Sequence, residues 1–257
     1  MTGSRAIACC GLSCLLLPLV CRAQSPSRFA DSATTEGANF GPTVSVRELS
    51  VPDKARRAFQ KGVERITAKD WAGSISEFEK AIKAFGDLYE AYYKIGIARM
   101  ELQQGEAAEA AFRKAIEVSE GNYAPPFFGL GLVLSNAGQY QDAEAAVRAG
   151  LHLAPMDAAG HFTMAWVLYT AQRIAEAEDS AREAVRRNPN FAMAHLLLAQ
   201  IHRRQNKLPA LVEDLNTFLR LDPAGPRSSG AKEARDKAER TLEQMRTEGQ
   251  DASGKAG

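Results

Sequence analysis

Residues 127–155 read FFGLGLVLSNAGQYQDAEAAVRAGLHLAP: two apolar-periodic runs, parted by Asn136-Ala137-Gly138 and closed by Pro155. Pro189 and Pro223 follow at steps of 34 residues. A fixed period of that length marks a stack of similar helical units. Other columns keep the same step. One holds Gly62, Gly96, Gly131, Ala165 and Ala199; a second holds Ser74, Ala108, Ala143, Ala177 and Leu211; a third holds Ala81, Ala115, Gly150, Ala184 and Phe218. All three show spacings of 34, 35, 34 and 34, so they share one slip, a single added residue near Gly121. Small side chains at recurring positions let helix backbones cross at close range. A larger column, Phe78, Phe112, Val147, Ala181 and Leu215, lies four residues after the second.

Between the apolar runs stand short polar breaks at 68–70, 103–105, 136–138, 171–173 and 205–207. Helical periodicity and these stops predict ten repeat helices, over 53–67, 71–84, 88–103, 106–119, 124–136, 140–153, 157–170, 174–187, 191–205 and 208–220. Ser50-Val-Pro-Asp53 has capping-box spacing and would open the first. Asp222-Pro-Ala-Gly-Pro226 ends the stack. Beyond it, Ala231–Arg246 carries a narrow stripe, Ala231, Ala234, Ala238, Leu242 and Met245, suited to a terminal cap that covers the last unit. The final stretch, 247–257, reads as disordered.

The pattern resembles the tetratricopeptide repeat. Phe127-x-x-Leu130-Gly131 closing at Pro155 carries the resemblance, as does Tyr92-x-x-Ile95-Gly96 followed by Ala108-x-x-x-Phe112-x-x-Ala115. His161 and His195 stand where the family often has tryptophan, Ala165 and Ala199 replace its glycine, and the first unit has Gly86 in place of the closing proline. The resemblance implies an all-α, right-handed superhelical solenoid of five helix-turn-helix units, about 55–88, 89–123, 124–157, 158–191 and 192–223, with the capping helix and tail in 224–257.

In that family the first helix of each pair lines a concave wall, which implies a binding groove here. Its fifth position reads Phe59, Tyr93, Phe128, Phe162 and Leu196. The ninth reads Val63, Ile97, Leu132, Trp166 and Gln200, and the twelfth Ile66, Met100, Ser135, Tyr169 and Arg203, with Arg204 beside it. Two readings of the fifth-position aromatics stand. They are packing between neighbouring helices, or they belong to an open apolar trough for a peptide or helix. The ninth column favours the trough, because family members often carry a polar residue there and four of the five here are apolar. The lysine, asparagine and arginine clamp with which some members hold a peptide carboxylate is not matched by Gln60, Lys94, Gly129 and Thr163. The expected partner is a protein or peptide segment.

All four cysteines, Cys9, Cys10, Cys14 and Cys21, fall in the first 21 residues. There Arg5 precedes the apolar run Ala6–Val20, followed by Cys21-Arg22-Ala23. A basic start, a short apolar core and a small residue at the cut predict a signal peptide over 1–23, cleaved after Ala23, and export to the periplasm or beyond. The alternatives are an N-terminal anchor retained in the membrane and a lipid-anchored form acylated on Cys21, the latter with Val20 a poor fit to lipoprotein processing; a membrane is reached only through the N-terminus. Residues 24–49 read as a flexible linker, in which Thr43–Leu49 alternates and would lie extended along the first unit. Removing Arg5 and Arg22 from 32 basic side chains leaves 30 against 31 acidic, a net of −1. Near-neutrality gives no footing for a nucleic-acid partner.

The chain holds four histidines, His152, His161, His195 and His202. The second and third share a repeat column, and His202 lies seven residues from His195 on one helix face. The spacing His-x-x-x-His is absent, so they read as interface residues, with no metal or cofactor expected. Glu109, Glu144 and Glu178 recur as part of an outer, solvated face. With no nucleophile elbow, phosphate loop or dinucleotide fingerprint, the expectation is a binding scaffold and not an enzyme.

Overall fold

In the computed structural model, residues 50–254 are described, their side chains as far as Glu248. The stretches expected as signal peptide and linker, Cys21 among them, lie outside these described residues. Those present form eleven helices: α1 Asp53–Thr67, α2 Trp71–Ala84, α3 Tyr89–Glu101, α4 Gly105–Val118, α5 Pro125–Asn136, α6 Tyr140–Leu153, α7 Ala158–Thr170, α8 Ile174–Arg187, α9 Ala192–Arg204, α10 Leu208–Leu221 and α11 Ser228–Gly254. No strand occurs among the described residues. Each odd-numbered helix up to α9 pairs with the helix after it, and the pairs stack in chain order. The result is the all-α right-handed solenoid expected, capped by α11 on α10.

Complementary volumes hold each pair together. A Cβ added at Gly62 would lie 2.6 Å from the Phe78 ring, one at Gly96 2.5 Å from Phe112, and one at Gly131 2.3 Å from Val147. In the last two pairs the partners are Ala165 with Ala181 and Ala199 with Leu215, all buried. Where the large column carries a phenyl ring or valine, the opposite helix has no side chain at all. Where it holds alanine or leucine, a methyl stands opposite. This is close packing enforced residue by residue.

The turns between paired helices repeat as closely as the helices do. Lys69, Gln103, Gly138, Gln172 and Asn206 all have positive φ. After each, an N–H reaches back five residues: Asp70 to Arg65, Gln104 to Arg99, Gln139 to Leu134, Arg173 to Leu168 and Lys207 to His202, at 2.8 to 2.9 Å. This is the left-handed helix stop that glycine serves without steric cost, yet only one of the five is glycine. Gln103→Gly is therefore expected to raise stability by about 0.5–1 kcal/mol, read as a shifted urea midpoint. The slip near Gly121 sits between pairs, where Glu120 (φ 52°) and Gly121 (φ 72°) are both left-handed and take up the extra residue.

Two boundaries differ from the sequence reading. Pro52 is the N-cap of α1, two residues after the Ser50 expected to open the helix, and makes no side-chain cap bond; Asp53 pairs with Arg56 at 3.1 Å. The capping helix starts at Ser228, whose hydroxyl donates to the Asp222 carbonyl at 2.5 Å, and continues to Gly254. Polar residues 247–254 offer no apolar face, but nothing before Gly249 stops an established helix from propagating.

Electrostatic straps cross two of the junctions. Arg173, at the entry to α8, reaches Glu144 on α6 at 2.5 Å. Its counterpart 34 residues on, Lys207, reaches Glu178 on α8 at 3.1 Å. At the two earlier junctions the same positions hold Gln139 with Glu109, and Gln104 with Ile75.

Candidate protein-binding groove

Successive first helices pack on each other from the second unit onward, α3 on α5, α5 on α7 and α7 on α9, whereas successive second helices do not approach one another comparably. The first helices therefore line the inner, concave wall.

The fifth-position column resolves mostly as packing. Phe128 and Phe162 are only 6% and 2% exposed. Phe59 packs on Phe78 with ring centroids 5.3 Å apart, Tyr93 on Phe112 at 5.9 Å, and Phe162 on Phe191 at 5.1 Å. Phe128 lies against Gly150 and Gly160, whose missing side chains make room for it. Ile97 and Tyr169 are buried as well. These four buried side chains, Ile97, Phe128, Phe162 and Tyr169, correct the expectation of an open apolar ladder, and of them Ile97 and Phe128 line only a small cleft. A partner can reach Val63, Met100, Leu132, Trp166, Arg203 and Arg204, and the exposed edges of Phe59 and Tyr93.

Five of the expected residues do converge. Tyr93, Ile97, Met100, Phe128 and Leu132 line one small cleft of about 50 Å³, together with Phe112, Pro125, Gly129, Asp157, Ala159 and Thr163. Gly129 lets the Phe112 ring lie directly against α5, since a Cβ there would meet that ring at 2.6 Å. Asp157 caps α7, accepting from the backbone N–H of Ala159 at 2.7 Å and of Gly160 at 3.1 Å. Burial first, and then the Asp157 charge, push the Tyr93 phenol upward, so it stays an uncharged hydroxyl. A second group forms beyond it. Trp166 is half-buried beside Tyr169, with ring centroids 6.3 Å apart. The Arg204 guanidinium lies 4.3 Å from the Tyr169 ring centre and donates to Gln172 at 2.6 Å. A cation held over an aromatic face in this way keeps its charge at the groove edge.

Sequence reasoning missed two features. On the outer face, Ile82, Tyr92, Ile95 and Ala111 floor an open depression of about 480 Å³ rimmed by Lys83, Arg99 and Lys114. The other is polar and buried. Glu178, which the sequence places on a solvated outer face, is 5% exposed and meets His202, Gln205 and Lys207. Recurrence of glutamate at 109, 144 and 178 is the available signal, but its partners are 24 to 29 residues away in other elements. Among the described residues, no group of three or more His, Cys, Asp or Glu is arranged to hold a metal, and no helix is long and apolar enough to cross a membrane.

Solved structures with this architecture include TTC0263 of Thermus thermophilus, described as a thermophilic TPR protein. It has a TM-score of 0.63 and 15% identity, covering 72% of this chain and 98% of that one. PilW, described as a widely conserved type IV pilus biogenesis factor, has a TM-score of 0.62 and 15% identity, covering 74% and 93%. MamA of Desulfovibrio magneticus RS-1 has a TM-score of 0.54 and 18% identity, covering 69% and 99%. At such identities the likeness speaks for the fold alone. No curated protein matches the chain in sequence. Tetratricopeptide repeat profiles match residues 89–122, 128–179 and 162–226, a little over half the chain, and they fall on the helix pairs whose glycine, phenylalanine and left-handed turns recur in step: the chain belongs to the tetratricopeptide repeat family.

Proposed function

We propose that the chain is a non-catalytic scaffold that holds a protein or peptide segment against its concave wall, in the cell envelope. The observation that carries this reading is the accessible part of the ninth column. Val63, Leu132 and Trp166 present apolar surface on a wall where water-facing residues are otherwise easily accommodated, and Val63 is 38% exposed. Leu132 lines the cleft, and Trp166 lies beside Tyr169, the ring over which Arg204 is held. An apolar side chain of the partner would enter the cleft, and Arg203 and Arg204 would favour a carboxylate at the far end. Large aromatic groups flanked by charge are where binding energy concentrates.

A photo-crosslinking residue introduced at position 132 of the full chain, activated in the native envelope and followed by mass spectrometry, identifies the occupant. Trp166→Ala in the same background should cut the crosslinked yield about tenfold while leaving the unfolding midpoint nearly in place. Equal yields from both proteins would count against the groove. A second reading, a lipid-anchored component of an outer-membrane or pilus assembly machine, draws on Cys21 and on the architecture shared with PilW. The mass of the mature N-terminus separates the two: a free Gln24 supports the soluble form, an acylated Cys21 the anchored one.

A further inference from the structure

The last junction contains a buried ionic chain found nowhere else among the described units. His202 on α9 stands between two carboxylates, with Nδ1 2.7 Å from Asp214 Oδ2 on α10 and Nε2 3.2 Å from Glu178 Oε1 on α8. Both ring nitrogens face acceptors, so only the doubly protonated ring donates on both sides. Glu178 also accepts from Gln205 at 2.6 Å and pairs with Lys207 and Arg182. Burial would raise its pKa, but the hydrogen bonds from Gln205, Lys207 and His202 overcome this and bring it down to about 2. It is therefore a fixed negative charge at any pH where histidine titrates.

Two turns earlier on α9, His195 has a loose end. Its Nε2 lies 3.1 Å from the Pro189 carbonyl, an acceptor, so the neutral ring carries its proton there. Its Nδ1 is buried without a hydrogen-bond partner and lies 3.7 Å from Asp214 Oδ1, the oxygen that His202 leaves unused. In the neutral ring a lone pair thus faces a carboxylate. The preceding unit supplies an internal comparison. His161 makes the same bond to the Pro155 carbonyl at 3.0 Å, but the counterparts of Asp214 and His202 there, 34 residues earlier, are Ser180 and Leu168.

We propose that His195 is a proton-operated latch: on gaining a proton at Nδ1 it donates to Asp214 Oδ1 and ties α9 to α10 within the last repeat unit. The charges that face the pair of histidines are Glu178 and Arg182 from α8, and Asp214 with Lys207 from α10 and its entry turn. Arg182 and Lys207 are half in water, with side chains 57% and 49% exposed. The two carboxylates and the His202 ring leave Asp214 Oδ1 as an acceptor facing His195, so a proton on Nδ1 would be received by a negative neighbour. A proton held more tightly in the folded than in the unfolded chain stabilises the fold at low pH, and that stability is lost as pH rises. The latch therefore closes on acidification and opens as pH rises. Export to a compartment whose acidity varies would make such a device useful, but the latch depends only on the three helices.

The test uses the full chain at pH 7.5 and pH 5.5, with amide hydrogen exchange corrected for intrinsic rates. Acidification should slow exchange in α9 and α10 by about tenfold. His195→Gln keeps a donor for the Pro189 carbonyl and removes only the titration, so it should abolish that gain; His161→Gln should leave it intact. Ring ¹⁵N resonances of His195 should show Nδ1 gaining a proton over the same interval. Unchanged acid protection in His195→Gln, or a ring still neutral at pH 5.5, overturns the proposal. Asp214→Asn should also lose the pH dependence, and if that variant does not fold, His195→Gln still decides.

Discussion

Phe112→Ala should lower the unfolding free energy by about 3–5 kcal/mol, the range for emptying a fully buried aromatic site. The ring has no exposure at all. It lies over Gly96 of its own unit and Gly129 of the next, and it packs at a tilt against Tyr93. One side chain therefore joins α3, α4 and α5, so its loss opens a void both within a unit and between units. Backbone glycines offer no side chain that could swing in to fill the space, which places the cost high in the range. A urea midpoint within experimental error of the parent protein would refute this placement of the column.

The reverse change is expected to be nearly as damaging. Gly96→Val puts a branched side chain where a single Cβ would already lie 2.5 Å from the Phe112 ring. Both sites are buried in helices held from two sides, so the ring cannot simply rotate away. The expected loss is about 3 kcal/mol, the upper end for overpacking. Because the two substitutions act on one volume, they should not add. Combining Phe112→Ala with Gly96→Val lets the valine occupy part of the vacated space, and the double variant should be more stable than the sum of single losses by about 1–2 kcal/mol. Strict additivity in that cycle would mean that glycine and ring are not neighbours in solution.

These two residues also show why the fold is legible in the sequence. Gly96 and Phe112 belong to columns that recur in five units, and the shared slip at Gly121 ties the columns together. A repeat averages away local ambiguity, so helix positions emerge to within a few residues. The groove does not benefit in the same way. Phe128 and Phe162 point along nearly the same helix face as Leu132 and Trp166, and periodicity alone cannot separate a face turned to solvent from one turned to the next unit. What separates them is the neighbour, Gly150 and Gly160 for Phe128 and Phe191 for Phe162, and that is tertiary. The Glu178–His202–Asp214 chain is illegible for the same reason: three helices contribute it, and each residue taken alone resembles its ordinary counterparts.

The straps at Glu144–Arg173 and Glu178–Lys207 give the solenoid a mechanical polarity. Stacked units communicate only with immediate neighbours, so bending is the sum of independent small rotations at each joint. The joints with Gln104 and Gln139 have amides where these braces have cations, and they should yield first when the molecule flexes. The superhelix is then a graded spring, compliant towards its N-terminal end and stiff towards the other. Raising the ionic strength would even out the gradient by screening the exposed cations of the braces.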